Sequence, residues 1–310
     1  MTLTYRTIGI DISKASLDIF DKASGRANRI SNSVSDIKAY CDTLPVDGVR
    51  VVFEATGSYD SCLRQALGDA GIVFLRVNPQ QARDFARACG KRAKTDRIDA
   101  RMLAEMGEAI ELPQRPQPSP EHIQLAELQQ RRDQLVADRA DEKKRRQTAS
   151  SSAVTANIGE HIAFLDRQIV AIERQIDTLI KATPRLADLF RRLIEVPGIG
   201  ATTAVVLMAQ MPELGSLSSK AVAALAGLAP FNDDSGRHRG HRRISGGRSR
   251  VRRALYMAAL SAKSRVARFA AHYQRVVERS ALKKVALIAV ARKLLVAINA
   301  MLKSGEPFRA

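Results

Sequence analysis

Over the first third of the chain, apolar residues come in short runs. Beyond it they recur at helical spacing. Three runs open the sequence, at residues 7–11, 17–20 and 27–30, parted by Ser13-Lys14 and by a turn-prone stretch at 22–25. Strand following strand at this spacing predicts hairpins. From Val34 the period changes, and the pattern predicts a helix at 34–44, a strand at 49–54, a helix at 59–67, a strand at 72–77 and a helix at 79–88. The next helix is capped by Thr95 and runs to about Met106, with Asp96 in its first turn, where a carboxylate suits the helix dipole. The predicted domain at 1–110 is an antiparallel meander followed by βα units, an α/β fold with a mixed sheet flanked by helices.

Residues 111–120 carry Pro113, Pro116, Pro118 and Pro120, too many for a helix or a central strand, and read as a semi-rigid linker. The predicted region 121–183 is helical. Leu125, Leu128 and Leu135 mark one amphipathic helix, while Ile162, Leu165, Ile169, Ile172, Ile176 and Leu179 step by three and four as in a coiled-coil seam. Such a seam needs an apolar partner: the two segments pair as an antiparallel hairpin around 150–159, or each pairs with another subunit, and the pattern leaves both open. The basic run at 143–146 reads equally as a solvated helix face or as a contact surface. From Pro184 to the end the chain is predicted to be mainly α, interrupted by a Gly- and Arg-rich loop at 232–250, with closing helices at 251–271 and 283–302.

A chain of 310 residues has room for two domains and a connecting element. Fifty Lys and Arg against 32 Asp and Glu give a net charge of +18 and a pI near 10.4, which calls for a polyanionic partner, nucleic acid foremost. The first residues lack the apolar core of a signal peptide, and the most apolar late stretch is broken by Arg292 and Lys293. The expectation is a soluble protein of the bacterial cytoplasm or nucleoid, without a membrane partner. Cys41, Cys62 and Cys89 stand singly, and His238 and His241 lie in the arginine-rich loop without an acidic or thiol neighbour, which argues against zinc and redox chemistry.

Four carboxylates carry the chemistry. Asp11 closes the strand Thr7-Ile8-Gly9-Ile10-Asp11, Glu54 closes Val51-Val52-Phe53-Glu54, and Asp96 and Asp99 share one helix face three residues apart. Two divalent cations about 3.5–4 Å apart need oxygen ligands from several directions, and such a quartet supplies them for phosphoryl transfer. In the second half, Pro197, Gly198 and Gly200 in Val196-Pro197-Gly198-Ile199-Gly200 form a turn like that of a helix-hairpin-helix. Its backbone amides would face a phosphate; an ordinary helix-helix turn reads the same way. The stretch 233–253 holds Arg237, Arg239, Arg242, Arg243, Arg248, Arg250, Arg252 and Arg253 among four glycines, suited to clamping phosphates. Ser245 stands at its centre, with Ser235 and Ser249 nearby and no local base. Taken alone, the loop reads as a nucleic-acid-binding segment.

In order along the chain, Gly9-Ile10-Asp11-Ile12-Ser13-Lys14, Phe53-Glu54-Ala55-Thr56-Gly57-Ser58-Tyr59, Val77-Asn78-Pro79, Lys94-Thr95-Asp96-Arg97-Ile98-Asp99-Ala100, the Pro-Gly-x-Gly turn and Arg252-Arg253-Ala254-Leu255-Tyr256-Met257 resemble the insertion-sequence one-ten family of DEDD transposases, which takes in the pilin-gene invertases. The resemblance spans nearly the whole chain. It implies a RuvC-like domain of the ribonuclease-H type joined through a coiled-coil region to a C-terminal transposase domain. It also implies a magnesium-binding tetrad of Asp11, Glu54, Asp96 and Asp99, with Ser245 as nucleophile in a covalent serine-DNA intermediate. The partners it implies are DNA, a structured bridge RNA as guide, and further copies of the chain, a dimer or tetramer in which the carboxylates of one copy meet the serine of another. Gly246-Gly247-Arg248 follows the serine here where many relatives carry Lys-Ala-Gly. Two other functions fit parts of the pattern: a site-specific invertase or junction-resolving nuclease, and a non-catalytic nucleic-acid-binding protein.

Overall fold

The structure, a computed structural model, describes residues 5–57, 59–90, 96–110, 119–231, 234–235, 238–239 and 243–309. Two compact units divide the chain, Met1–Gln117 and Pro118–Ala310.

In the first unit β1 (Arg6–Ile12), β2 (Ser16–Asp21) and β3 (Arg26–Ser31) form an antiparallel meander. Two further strands, β4 (Val49–Glu54) and β5 (Val73–Val77), run parallel to β1 and complete a mixed sheet of order β3-β2-β1-β4-β5. Alternation along β1 decides which side chain meets which layer. Ile8, Ile10 and Ile12 enter one core with Val51 and Phe53, where α1 (Val34–Asp42) and α2 (Ser61–Asp69) contribute Ile37, Cys41, Leu63 and Leu67. On the opposite face Val52, Leu75 and Val77 meet Ala82 of α3 (Pro79–Ala88) and Met102, Leu103 and Met106 of α4 (Asp96–Ala109). Polar residues bound these helices: the Ser33 hydroxyl accepts from the Asp36 amide, and Asn78 accepts from the Gln80 amide with Pro79 in the first turn. The expected helix at 59–67 begins two residues later, because Tyr59 and Asp60 belong to the turn that follows β4. Thr95, the expected cap of α4, lies outside the described residues.

In the second unit Ser119 caps α5 (Pro120–Thr148), so the last two residues of the expected linker already start a helix; 111–118 lie outside the described residues. The next helix, α6 (Ser152–Ala182), runs back along α5, fastened by Arg132 to Glu173 at 2.7 Å and Arg139 to Asp166 at 2.6 Å. Leu135, Leu165 and Ile169 fill the seam. Of the two pairings the pattern left open, the antiparallel hairpin is formed, and its turn is shorter than the expected 150–159. Ser151 is the N-cap and Gly159 lies within α6 with open space around it, so that glycine breaks nothing. Toward the base of the hairpin, Leu125, Ile176 and Ile180 join the core of α7 (Pro184–Ile194), α8 (Ala201–Gln210), α9 (Ser219–Leu225), α10 (Ser249–Arg265), α11 (Ala267–Ser280) and α12 (Lys283–Ser304). By length and composition α12 could cross a membrane, yet Val290, Ala291, Leu294, Leu295 and Ile298 are wholly buried in this core.

Two further expectations are corrected. The helix expected at 251–271 is two helices, parted at Val266, whose extended backbone (φ −127°, ψ 114°) turns the chain so that Val266 and Phe269 both enter the core. No glycine or proline marks that break. The arginine-rich loop also contains short strands, β7 (Asp234–Ser235) paired with β8 (His238–Arg239), and β9 (Arg243–Ile244) paired with β6 (Pro230–Phe231) just before the loop, all antiparallel.

Candidate active site and nucleic-acid interface

Ile10 lies opposite Phe53 in the parallel β1–β4 pair, so Asp11 and Glu54 come next to one another at the C-terminal ends of adjacent strands. Both share the α4 side of the sheet, Asp11 two residues after Gly9 and Glu54 two after Val52. Gly9 explains how close α4 can lie. A Cβ there would stand 1.9 Å from the Ala100 carbonyl oxygen and 2.6 Å from the Ala104 nitrogen. Further along α4, a Cβ on Gly107 would meet Val52 at 2.5 Å and Thr7 at 3.1 Å. The helix therefore runs back over β1, with its later turns above Thr7 and its first turns toward Asp11 and Glu54. Asp99 lies in those first turns, and Asp96 opens the helix with its side chain outside the described residues. Asp11, Glu54 and Asp99 are thus brought to one face and one end of the sheet. Among the described residues no three ligating side chains form a ready metal cage. The candidate donors are all carboxylate oxygens, a set that fits a hard divalent cation.

Ser245 is exposed between β9 and α10. Gly246 and Gly247 behind it hold φ of +62° and +64°. Gly247 lies against another glycine: a Cβ on it would stand 2.2 Å from the Gly227 nitrogen, and one on Gly227 would stand 2.4 Å from the Gly246 oxygen. Side chains are excluded at both positions by steric overlap. The Arg248 guanidinium grips both oxygens of Glu213 at 2.7 and 2.8 Å and donates to the Gln210 carbonyl at 2.6 Å. Arg252 donates to the carbonyls of Gly246 at 2.7 Å and Gly227 at 3.4 Å, and Arg250 pairs with Asp133 of α5 at 3.5 Å. These three arginines face the fold and anchor the serine turn. Arg243 and Arg253 are exposed, with no ion pair among the described residues. Arg239 is described only as backbone in β8, and Arg237 and Arg242 lie outside the described residues.

A family model described as "Transposase IS116/IS110/IS902 family" matches residues 190–274, and the DEDD transposase model of the IS110 type matches residues 8–149. The pilin gene-inverting proteins of Moraxella bovis and Moraxella lacunata are each 32% identical over 271 residues, covering 84% of this chain and 82% of theirs. This chain belongs to the IS110 transposase family. An uncharacterized 43.6 kDa protein of insertion element IS110 in Streptomyces coelicolor is 29% identical over 160 residues, 51% of this chain and 38% of its own. The family makes the chain an enzyme of DNA transposition and recombination and implies use of a divalent metal.

In this transposase the Pro197-Gly198-Ile199-Gly200 turn divides its two glycines between different tasks. Gly198, at φ +96°, lies against α10, where a Cβ would stand 2.8 Å from the Ala258 oxygen and from Ala262. Its conformational freedom serves that packing. Gly200 is exposed, forms the N-cap of α8 without a side-chain bond and has open space around it, while Pro197 is half-buried.

Sequence reasoning missed two acids. Asp18 lies directly across β2 from Asp11, 8% exposed, with Arg29 at 3.6 Å. Asp60, wholly buried, accepts from Arg64 at 2.9 Å, from Arg76 at 2.6 Å and from the Thr56 amide at 3.4 Å, tying the turn after Glu54 to β5. An acid before a helix is too common a pattern to single out, and Arg76 reaches it from another strand. In the second unit, burial holds the His122 imidazole below its usual value, reinforced by the charges of Arg185 and Arg248 and opposed by its bond to the Ala209 backbone and by Glu213.

Proposed function

We propose that this transposase cuts, exchanges and rejoins the strands of an insertion element with the Ser245 hydroxyl as nucleophile and with Asp11, Glu54, Asp96 and Asp99 as ligands of two Mg2+ ions. The observation that supports the reading is α4 lying back across β1, with Asp99 in the turns nearest the strand ends that carry Asp11 and Glu54. The sheet order, with carboxylates at the ends of adjacent parallel strands where ligands of open α/β sheets bind, supports a RuvC-like domain of the ribonuclease-H type. When bound, the cations would neutralise charge developing on the phosphate and on the leaving oxygen. Ser245 Oγ attacks phosphorus, one phosphodiester replaces another, and the hydroxyl proton passes in net terms to the departing DNA oxygen. Rejoining is the reverse step, with no bond energy lost to water. Arg243 and Arg253 face the phosphate, and Arg248, Arg250 and Arg252 hold the turn that presents the serine. From the family resemblance the reading also takes guidance by a bridge RNA, a coiled-coil α5–α6 region and assembly to a dimer or tetramer in which one copy's serine serves another's carboxylates.

A second outcome, site-specific inversion, is favoured by the likeness to the pilin gene-inverting proteins. Wild type, Asp11→Ala and Ser245→Ala are incubated with magnesium and DNA carrying the element junction, with and without the element's non-coding RNA. Covalent protein-DNA adducts that vanish in both variants support the recombinase. Cutting by Ser245→Ala at the wild-type rate with free DNA ends would remove the serine from the mechanism. The orientation of the recombined segment separates transposition from inversion.

A further inference from the structure

A groove of about 1690 Å³ runs between α10, α11, α12 and the β6–β9 pair of the second unit, larger than the roughly 300–1,000 Å³ of a small-molecule site. Its floor is the outer face of α12, with Ile288, Val296 and Ala297, continued by Pro230 and Ile244. Its rim is cationic. Among the described residues no carboxylate lines the groove, and Arg253, Lys283, Lys284 and Arg292 have no ion pair. Tyr256 and His272 add ring faces to the wall, and burial beside Lys293 and Arg275 keeps His272 below its usual value, so the ring is neutral near pH 7. Ile244 and Ser249, on either side of Ser245 in the chain, both line the groove.

Unneutralised cations call for a polyanion, and an apolar floor calls for something flat and poorly hydrated. Duplex DNA satisfies only the first, because its bases are already stacked and its outer surface is phosphate. An unpaired strand satisfies both, since its bases can stack on aromatic and guanidinium faces while its phosphates meet the rim. We propose that this groove seats an unpaired nucleic-acid strand, bases on the α12 floor and phosphates on the rim, and delivers it to Ser245. The delivery step rests on the recombinase reading; the seating does not.

Binding of the full-length chain to a thymidine oligomer of about 12 nucleotides and to a duplex of the same length is followed by fluorescence anisotropy across salt concentration. Lys283→Glu with Lys284→Glu weakens oligomer binding at least about tenfold and reduces its logarithmic salt slope by about 1.4, the share of two phosphate contacts on a single strand. Ala297→Trp, which fills the floor, weakens the oligomer more than the duplex at an unchanged melting temperature. The lysine variants lie on the surface and keep the test valid if the tryptophan variant misfolds. Oligomer binding as tight as wild type in the lysine variants overturns the proposal. So does an Ala297→Trp chain that loses self-association while its oligomer binding is untouched, an outcome that assigns the groove to a second copy. Ser245→Ala that binds the oligomer normally but forms no adduct with the junction DNA sustains both readings, whereas adducts persisting in Ser245→Ala overturn Ser245 as nucleophile and leave the groove standing.

Discussion

Asp11 and Glu54 are held by strand register and by a helix resting on Gly9, whereas Ser245 is held by an ion pair, two touching glycines and one guanidinium. The first arrangement is distributed over five strands and two cores, so the carboxylates move only if the sheet does. The second depends on a few polar contacts near the surface, where local opening costs less than global unfolding. In the proposed mechanism the ligand array has to be placed in advance, while a serine that forms and releases a covalent bond to DNA is served by a mount that can yield.

The sharpest way to test that contrast is to remove the chemistry on each side and leave the mounts alone. Asp11→Asn and Ser245→Ala should each lower the initial rate of adduct formation about a thousandfold or more while leaving the melting temperature within a few degrees of wild type. A loss under tenfold in either variant would break the pairing of the two sites. The mounts are the next target. Gly9→Ala places a methyl group inside the Ala100 carbonyl and should cost about 3 kcal/mol in urea unfolding of the first unit, while Gly200→Ala, with open space around it, should stay within about 0.5 kcal/mol.

A smaller effect is expected from Glu213→Gln. Losing the paired grip on Arg248, both groups being mostly buried, should cost about 1–2 kcal/mol and slow serine adduct formation while leaving the affinity for the unpaired strand unchanged. An adduct rate equal to wild type would show that the ion pair supports the fold but not the serine. The smallest effect is a pH dependence confined to the second unit. Because the folded value of His122 lies below its unfolded value near 6.5, its contribution is complete above that value. Stability should fall as pH drops through 6.5 toward the lower folded value, then level off. Thermal melts between about pH 8 and about pH 5 should show a shallower decline in His122→Asn than in wild type.

Much of the first unit was legible because its signals are local. Short apolar runs gave the strands, the change of period at Val34 marked the first helix, and the carboxylates fell at strand ends where a pattern can be read. The hidden parts depend on contacts between residues far apart in the chain. Gly9 is one apolar position among several until Ala100 and Ala104 are seen above it, and Asp60 needs Arg76. In the second unit the arginine cluster was visible but its division was not. Guanidiniums at 248, 250 and 252 face Glu213, Asp133 and two glycine carbonyls, partners distant in sequence, so composition could not separate them from Arg243 and Arg253. The break at Val266 left no trace either, since the chain turns there to bury Phe269 and uses neither glycine nor proline.

Gly227 and Gly247 touch backbone to backbone, and Arg252 clasps the carbonyls of Gly227 and Gly246. The chain therefore meets itself at one point, between 227 and 246–247, while Leu228 stays in the helical core and Pro230 and Ile244 line the groove. Because the cost of closing a loop grows only slowly with its length, the clasp tolerates a change in the length of the segment between β6 and β9. On the reading proposed for Ser245, the length of that segment is thus separable from the anchorage of the serine.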